Sequence, residues 1–95
     1  MKKTRAAAGR NMVGPRIREL RLAAVPPVSQ EDLSGRLAAL GVSLDQAAIS
    51  RIENQTRYVM DYEAAALAKA LHVSTALIFQ PQGLAGAKAG RGGST

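Results

Sequence analysis

Cysteine is absent from this 95-residue chain, and histidine occurs once, as His72. No disulfide framework can form, and neither a thiolate zinc finger nor a histidine metal cluster has its ligands. Tryptophan is also missing, and Tyr58, Tyr62 and Phe79 are the whole aromatic complement. So few rings exclude a platform on which successive bases of a single strand could stack. No apolar run approaches the ~20 residues of a membrane span, and the N-terminus lacks the apolar core of a secretory signal. No nucleophile–base pair, metal cluster or phosphate-cradling loop is visible, so no catalytic residue, metal or cofactor is expected. The default expectation is a soluble cytoplasmic protein that is not an enzyme and does not touch a membrane.

What the chain does have is positive charge, at +6 overall, and its placement matters more than its sum. Residues 1–13 carry Lys2, Lys3, Arg5 and Arg10 with no acid, and residues 82–95 add Lys88 and Arg91. Between them Arg16, Arg18, Arg21, Arg36, Arg51, Arg57 and Lys69 are balanced by Glu19, Glu31, Asp32, Asp45, Glu53, Asp61 and Glu63. The folded part is therefore neutral. Bulk charge does not establish nucleic-acid binding, which has to be argued from where individual arginines point.

Periodicity divides the chain into three. Residues 1–11 are basic, Ala/Gly-rich and aperiodic, and read as a flexible arm. Such an arm either follows the minor groove of a duplex or is a solvated end. Residues 82–95, with five glycines, read as a disordered tail. Residues 12–81 hold five short helices and no convincing strand, an all-α domain. Val13, Ile17, Leu20 and Ala24 recur at helical spacing behind Pro15, and Pro26-Pro27 stops this first helix. Ser29 caps a second helix whose apolar face is Leu33, Leu37 and Leu40, with Gly41 as its C-terminal stop. Asp45, or else Ser43, caps a third with Ile49 and Ile52 facing inward. The fourth begins at Met60 or Asp61 and buries Ala65, Leu67, Ala68 and Leu71, with His72 at its end and Tyr62 packed rather than stacking. Ser74 caps a short fifth helix holding Leu77, Ile78 and Phe79.

The third helix leaves Gln46, Ala47, Ser50 and Arg51 on its exposed side. A helix braced by another, offering short polar side chains and an arginine, suits the major groove of DNA. Four segments carry a resemblance in register: Gly14-Pro-Arg-Ile-Arg-Glu-Leu-Arg21, Ser29-Gln-Glu-Asp-Leu33, Ala48-Ile-Ser-Arg-Ile-Glu-Asn54 and Ala68-Lys-Ala-Leu-His-Val-Ser74. Across residues 14–79 the chain resembles the phage repressor and Cro-type helix-turn-helix family, also called XRE. That resemblance implies a compact five-helix, lambda-repressor-like domain that binds double-stranded DNA. It implies a bacterial or phage transcriptional regulator, most simply a repressor. It puts Gln46, Ala47 and Ser50 near base edges, and Gln30, Arg51, Arg57 and Tyr58 at the backbone. It also implies a partly buried ion pair between Arg21 and Glu53, structural rather than catalytic.

Gln pairs bidentately with adenine, Ala meets a thymine methyl and Ser permits close approach. The arginine fork matches phosphate oxygens. The chain departs from the family at a longer segment between helices 2 and 3, at Pro26-Pro27, and at Gln55 and His72, where the family carries glycine. A left-handed backbone at Gln55 would cost ~1–2 kcal/mol. A two-fold dimer would have to use the helix 4–5 end, Leu77, Ile78 and Phe79, unless that cluster closes the core instead. The neutral core and altered turn keep a second expectation open: a protein-interaction adapter on the same fold, such as a toxin-neutralising partner or transcriptional bridging factor.

Overall fold

The computed structural model describes residues 9–80, and among them the chain forms five helices and no strand. These are α1 (Gly14–Ala23), α2 (Gln30–Ala39), α3 (Gln46–Glu53), α4 (Asp61–Ala70) and α5 (Thr75–Ile78). The first four were legible from apolar spacing and the fifth from its Ser74 cap. Ile17, Leu33, Leu37, Ile49, Ile52, Leu67 and Ile78 are fully enclosed, drawing one core residue or more from every helix. Burial at this density supplies roughly 1.5–3 kcal/mol per large side chain, which a domain this small needs.

The starts of the helices follow local chemistry. Ser29 Oγ accepts from Asp32 N at 2.9 Å. Asp45 Oδ1 accepts from Ala48 N at 2.8 Å, deciding that cap against Ser43. Ser74 Oγ accepts from Leu77 N at 3.3 Å. The stops share one geometry. In α2, α3 and α4 the second residue after the helix swings into the left-handed region: Gly41 at φ 85°, Gln55 at 65° and His72 at 61°. Paired backbone bonds close each end, for example Val42 N to Leu37 O and Gly41 N to Ala38 O, both at 2.9 Å. Equivalent pairs join Thr56 to Arg51 and Gln55 to Ile52, and Val73 to Ala68 and His72 to Lys69. This closure satisfies orphan carbonyls, and glycine makes it without steric strain. The chain uses glycine at one of the three.

Several side chains depart from the sequence expectation. Leu40, expected on the core face of α2, is 40% exposed, because α2 ends at Ala39 and Leu40 turns outward with the closure. Ala65 is exposed, and α4 buries Ala64, Ala66, Leu67, Ala68 and Ala70 instead. Tyr62 does not pack but stands exposed on the first turn of α4. Ile78 is fully buried and Leu77 half-buried, so of the proposed dimer cluster Phe79 alone is exposed. Arg16 holds α5 in place, its Nε donating to Leu77 O at 3.2 Å. Ile78 thus closes the core at this end, while Phe79 stays open to solvent.

The longer α2–α3 connection, Leu40 to Asp45, is anchored. Leu44 is buried within it, and Ser34 Oγ of α2 donates to Leu44 O at 2.7 Å. Gly9–Asn11, expected within a flexible arm, are docked on the end of α3. Residues 1–8 of that arm and residues 81–95, which include the whole Gly-rich tail, lie outside the described residues.

Candidate nucleic-acid interface

α3 is short, and its two faces differ sharply. Ile49 and Ile52 point into the core with no exposure, Ala48 is buried beside them, and Gln46, Ala47 and Arg51 are exposed. Ser50 is half-buried on the same outward side. Arg51 pairs with no acid among the described residues.

The helix is held from below by a buried ion pair. Arg21 Nε donates to Glu53 Oε2 at 2.8 Å and Nη2 to Oε1 at 2.9 Å, while Nη1 donates to Val28 O at 2.9 Å. The side chains are 9% and 3% exposed. Hydrogen bonding to Glu53 raises the Arg21 pKa further above its ordinary value, against the opposing effect of burial. The pair thus ties α1, the loop before α2 and the last turn of α3 together. One carboxylate oxygen of Glu53 also accepts from Gln30 Nε2 at 3.1 Å. Gln30 Oε1 in turn lies 3.5 Å from Gln46 Nε2, a long and weak contact at the surface. The ion pair, Gln30 and Gln46 form a line running from the core to the exposed face of α3.

The far end of α3 is fastened by Asn11. Its Nδ2 donates to Ile52 O at 3.0 Å and to Arg57 O at 2.8 Å. Its Oδ1 accepts from Val13 N at 3.0 Å and Gly14 N at 2.7 Å, covering the two N–H groups that lead into α1. Gln55 Nε2 donates to Asn11 O at 3.0 Å, and Arg10 N donates to Gln55 O at 2.8 Å. One amide side chain therefore joins the start of α1 to both sides of the α3 terminus. Sequence reasoning missed this residue, because Asn11 sits in an aperiodic stretch. The available signal was an Asn just ahead of the first helix, a residue type whose side chain bonds the backbone N–H two residues on, here that of Val13.

Arg57 and Tyr58, expected at the DNA backbone, have different surroundings. Arg57 Nη1 donates to Glu63 Oε1 at 3.0 Å and Nη2 to Oε2 at 3.1 Å, with a further bond to Tyr58 O at 2.8 Å. Its charge is balanced inside the protein. The Arg57 bond holds the Glu63 carboxyl below the usual carboxylate range, assisted by Met60 N, which donates to Glu63 Oε1 at 2.9 Å. Tyr58 is exposed, and the Arg10 guanidinium carbon lies over its ring at 5.4 Å from the centroid, within cation–π range. Arg10 thereby joins this edge, a cation the sequence assigned only to the arm.

Among the described residues no group of three or more His, Asp or Glu side chains is placed to hold a metal, and no helix is long and apolar enough to cross a membrane. Comparison with known proteins finds no matching family model, no similar curated protein and no similar solved structure.

Proposed function

We propose that this protein binds double-stranded DNA, with α2 and α3 acting as a helix-turn-helix and α3 entering the major groove. The observation that carries the reading is the two-sided character of α3: Ile49 and Ile52 enclosed, Gln46, Ala47 and Arg51 exposed, and the helix fixed at its end by a buried ion pair. Such a rigid helix bearing short polar groups can meet base edges without rearranging first. Gln46, Ala47 and Ser50 are assigned to the bases, Gln46 suited to adenine and Ala47 to a thymine methyl. Arg51 and Gln30 are assigned to the backbone, with Arg10 and Tyr58 at its edge. Arg57 is no longer assigned to phosphate, since Glu63 engages its guanidinium in both arms of the fork. The biological role that follows is transcriptional regulation in the cytoplasm.

The test is fluorescence anisotropy of a duplex chosen by selection from a random pool, against a scrambled duplex, at two salt concentrations. The selected site is expected to bind at least roughly 10³-fold more tightly. Gln46→Ala should erode that preference, and Arg51→Glu should weaken binding to every sequence. Absence of binding to any duplex at moderate salt would overturn the reading and leave an adapter function on the same fold.

A further inference from the structure

A groove of about 560 Å³ lies between the C-terminal ends of α2 and α4, lined by Arg36, Ala39, Leu40, Lys69, Ala70 and His72. Its floor is apolar, with Leu40 40% exposed and Ala39 beside it open to solvent. Its rim carries cations. Arg36 and Lys69 stand in the last turns of α2 and α4, and the acids of those helices, Glu31, Asp32, Asp61 and Glu63, all stand in the first turns. Arg36 Nη1 donates to Ala70 O at 2.9 Å, which fixes the guanidinium across the groove. Neither Arg36 nor Lys69 is in an ion pair with an acid among the described residues.

The bland explanation of two basic residues at helix ends is that they complement the helix dipoles. It makes no use of the apolar surface between them, where the closure at Gly41 leaves Leu40 turned outward. A purely phosphate-binding surface would not need the leucine either. The groove also stands at the opposite end of α2 from Gln30, about 15 Å along the helix by its rise of ~1.5 Å per residue. A second copy or the chain's own ends suit it poorly, because the whole chain is +6 and residues 1–13 and 82–95 are both net positive.

We infer that this groove docks an acidic amphipathic segment of another protein, carboxylates on Arg36 and Lys69 and apolar side chains on Leu40 and Ala39. This is the helix-in-groove mode with a charged rim. The inference does not rest on DNA binding, and the two surfaces face different ends of α2.

The test uses the full chain and a fluorescein-labelled helical peptide with glutamates on one side and leucines on the other. A control peptide carries glutamine in place of every glutamate. The acidic peptide should bind, more weakly as salt rises, and the control should not. Lys69→Glu and Leu40→Ser change exposed side chains and should leave the fold intact by circular dichroism. Each should weaken the peptide several-fold, and the double variant by about tenfold or more, near 1.4 kcal/mol. Amide shifts in NMR should gather around residues 36–42 and 69–73. Three results would overturn the assignment: no binding of the acidic peptide, shifts gathered on α3 instead, or loss of duplex binding in Lys69→Glu equal to the loss of peptide. The last would make the groove a nucleic-acid contact. Because duplex binding is read in the same samples, failure of the DNA reading and failure of this one are separable.

Discussion

Glu53 accepts a hydrogen bond from Gln30 at 3.1 Å with the same carboxylate that engages Arg21 in a two-pronged pair. A residue at the start of α2 and one at the end of α3 are therefore joined through a buried charge. A buried carboxylate bonded to both arms of a guanidinium has few rotamers left. Gln30, bonded to that carboxylate, is in turn restricted beside Gln46. The geometry of the exposed face of α3 thus depends on a group that is itself 3% exposed.

Breaking this pair on one side leaves an uncompensated buried charge. Glu53→Gln or Arg21→Met should each lower stability by about 3–5 kcal/mol. Replacing both partners with apolar residues of similar volume should recover much of that loss. Urea unfolding of the two single variants and the double variant checks the cycle; additive losses would show that the two groups do not act as a pair.

The Glu63 carboxyl, held low by Arg57, makes stability depend on pH with a definite sign. Its folded pKa lies below the ordinary 4.5 of the free group. The stabilisation it supplies is fully present above 4.5 and is lost as the pH falls through the lowered folded value. Glu63→Gln should therefore be less stable than the parent at pH 7, and the gap should narrow as the pH falls below 4.5. Urea midpoints for both proteins across that range test it. A gap that is constant with pH would assign the loss to packing.

His72 and Gln55 both hold left-handed backbone, at φ 61° and 65°, yet glycine should help them unequally. A non-glycine residue there costs ~1–2 kcal/mol, partly offset by the greater freedom glycine has when unfolded. His72 is exposed and makes no side-chain hydrogen bond among the described residues, so His72→Gly should stabilise by about 0.5–1 kcal/mol. Gln55→Gly loses the bond from Nε2 to Asn11 O, so its gain should be smaller or reversed. Thermal unfolding of the two variants ranks them.

Asn11 should matter far more than its place in a basic, aperiodic stretch suggests. Asn11→Ala removes the acceptor for Val13 N and Gly14 N and the two bonds donated to Ile52 O and Arg57 O, and should cost about 2–3 kcal/mol. Asn11→Asp keeps the acceptor for Val13 N and Gly14 N and loses both donated bonds, so it should fall between. Gly14 lies in the same place, and a Cβ there would run into the Ile52 carbonyl. Gly14→Ala should accordingly push α1 off α3 and cost about 1–3 kcal/mol, read from denaturant midpoints.

The helices were legible because their signals are local. Apolar residues at spacings of three and four placed α1 to α4, and Ser29, Asp45 and Ser74 marked starts that need only a side chain and the next turn. The outward set Gln46, Ala47, Ser50 and Arg51 followed from the same periodicity that put Ile49 and Ile52 inside. The pairing of Arg21 with Glu53 was available through family resemblance, since nothing in the spacing of residues 32 apart brings them together.

Contacts between distant segments could not be read this way. That Asn11 reaches Ile52 and Arg57, and that Glu63 pairs with Arg57, depends on how α1, α3 and α4 cross. Leu40 shows the same limit on a smaller scale. Its spacing matched Leu33 and Leu37, but the left-handed closure at Gly41 turned the chain before Leu40 could reach the core. The sequence by itself determined which segments are helical and which faces are apolar, because both are properties of neighbours along the chain. Tertiary structure alone decided which charges are neutralised and which remain outward, because that is set by neighbours in space.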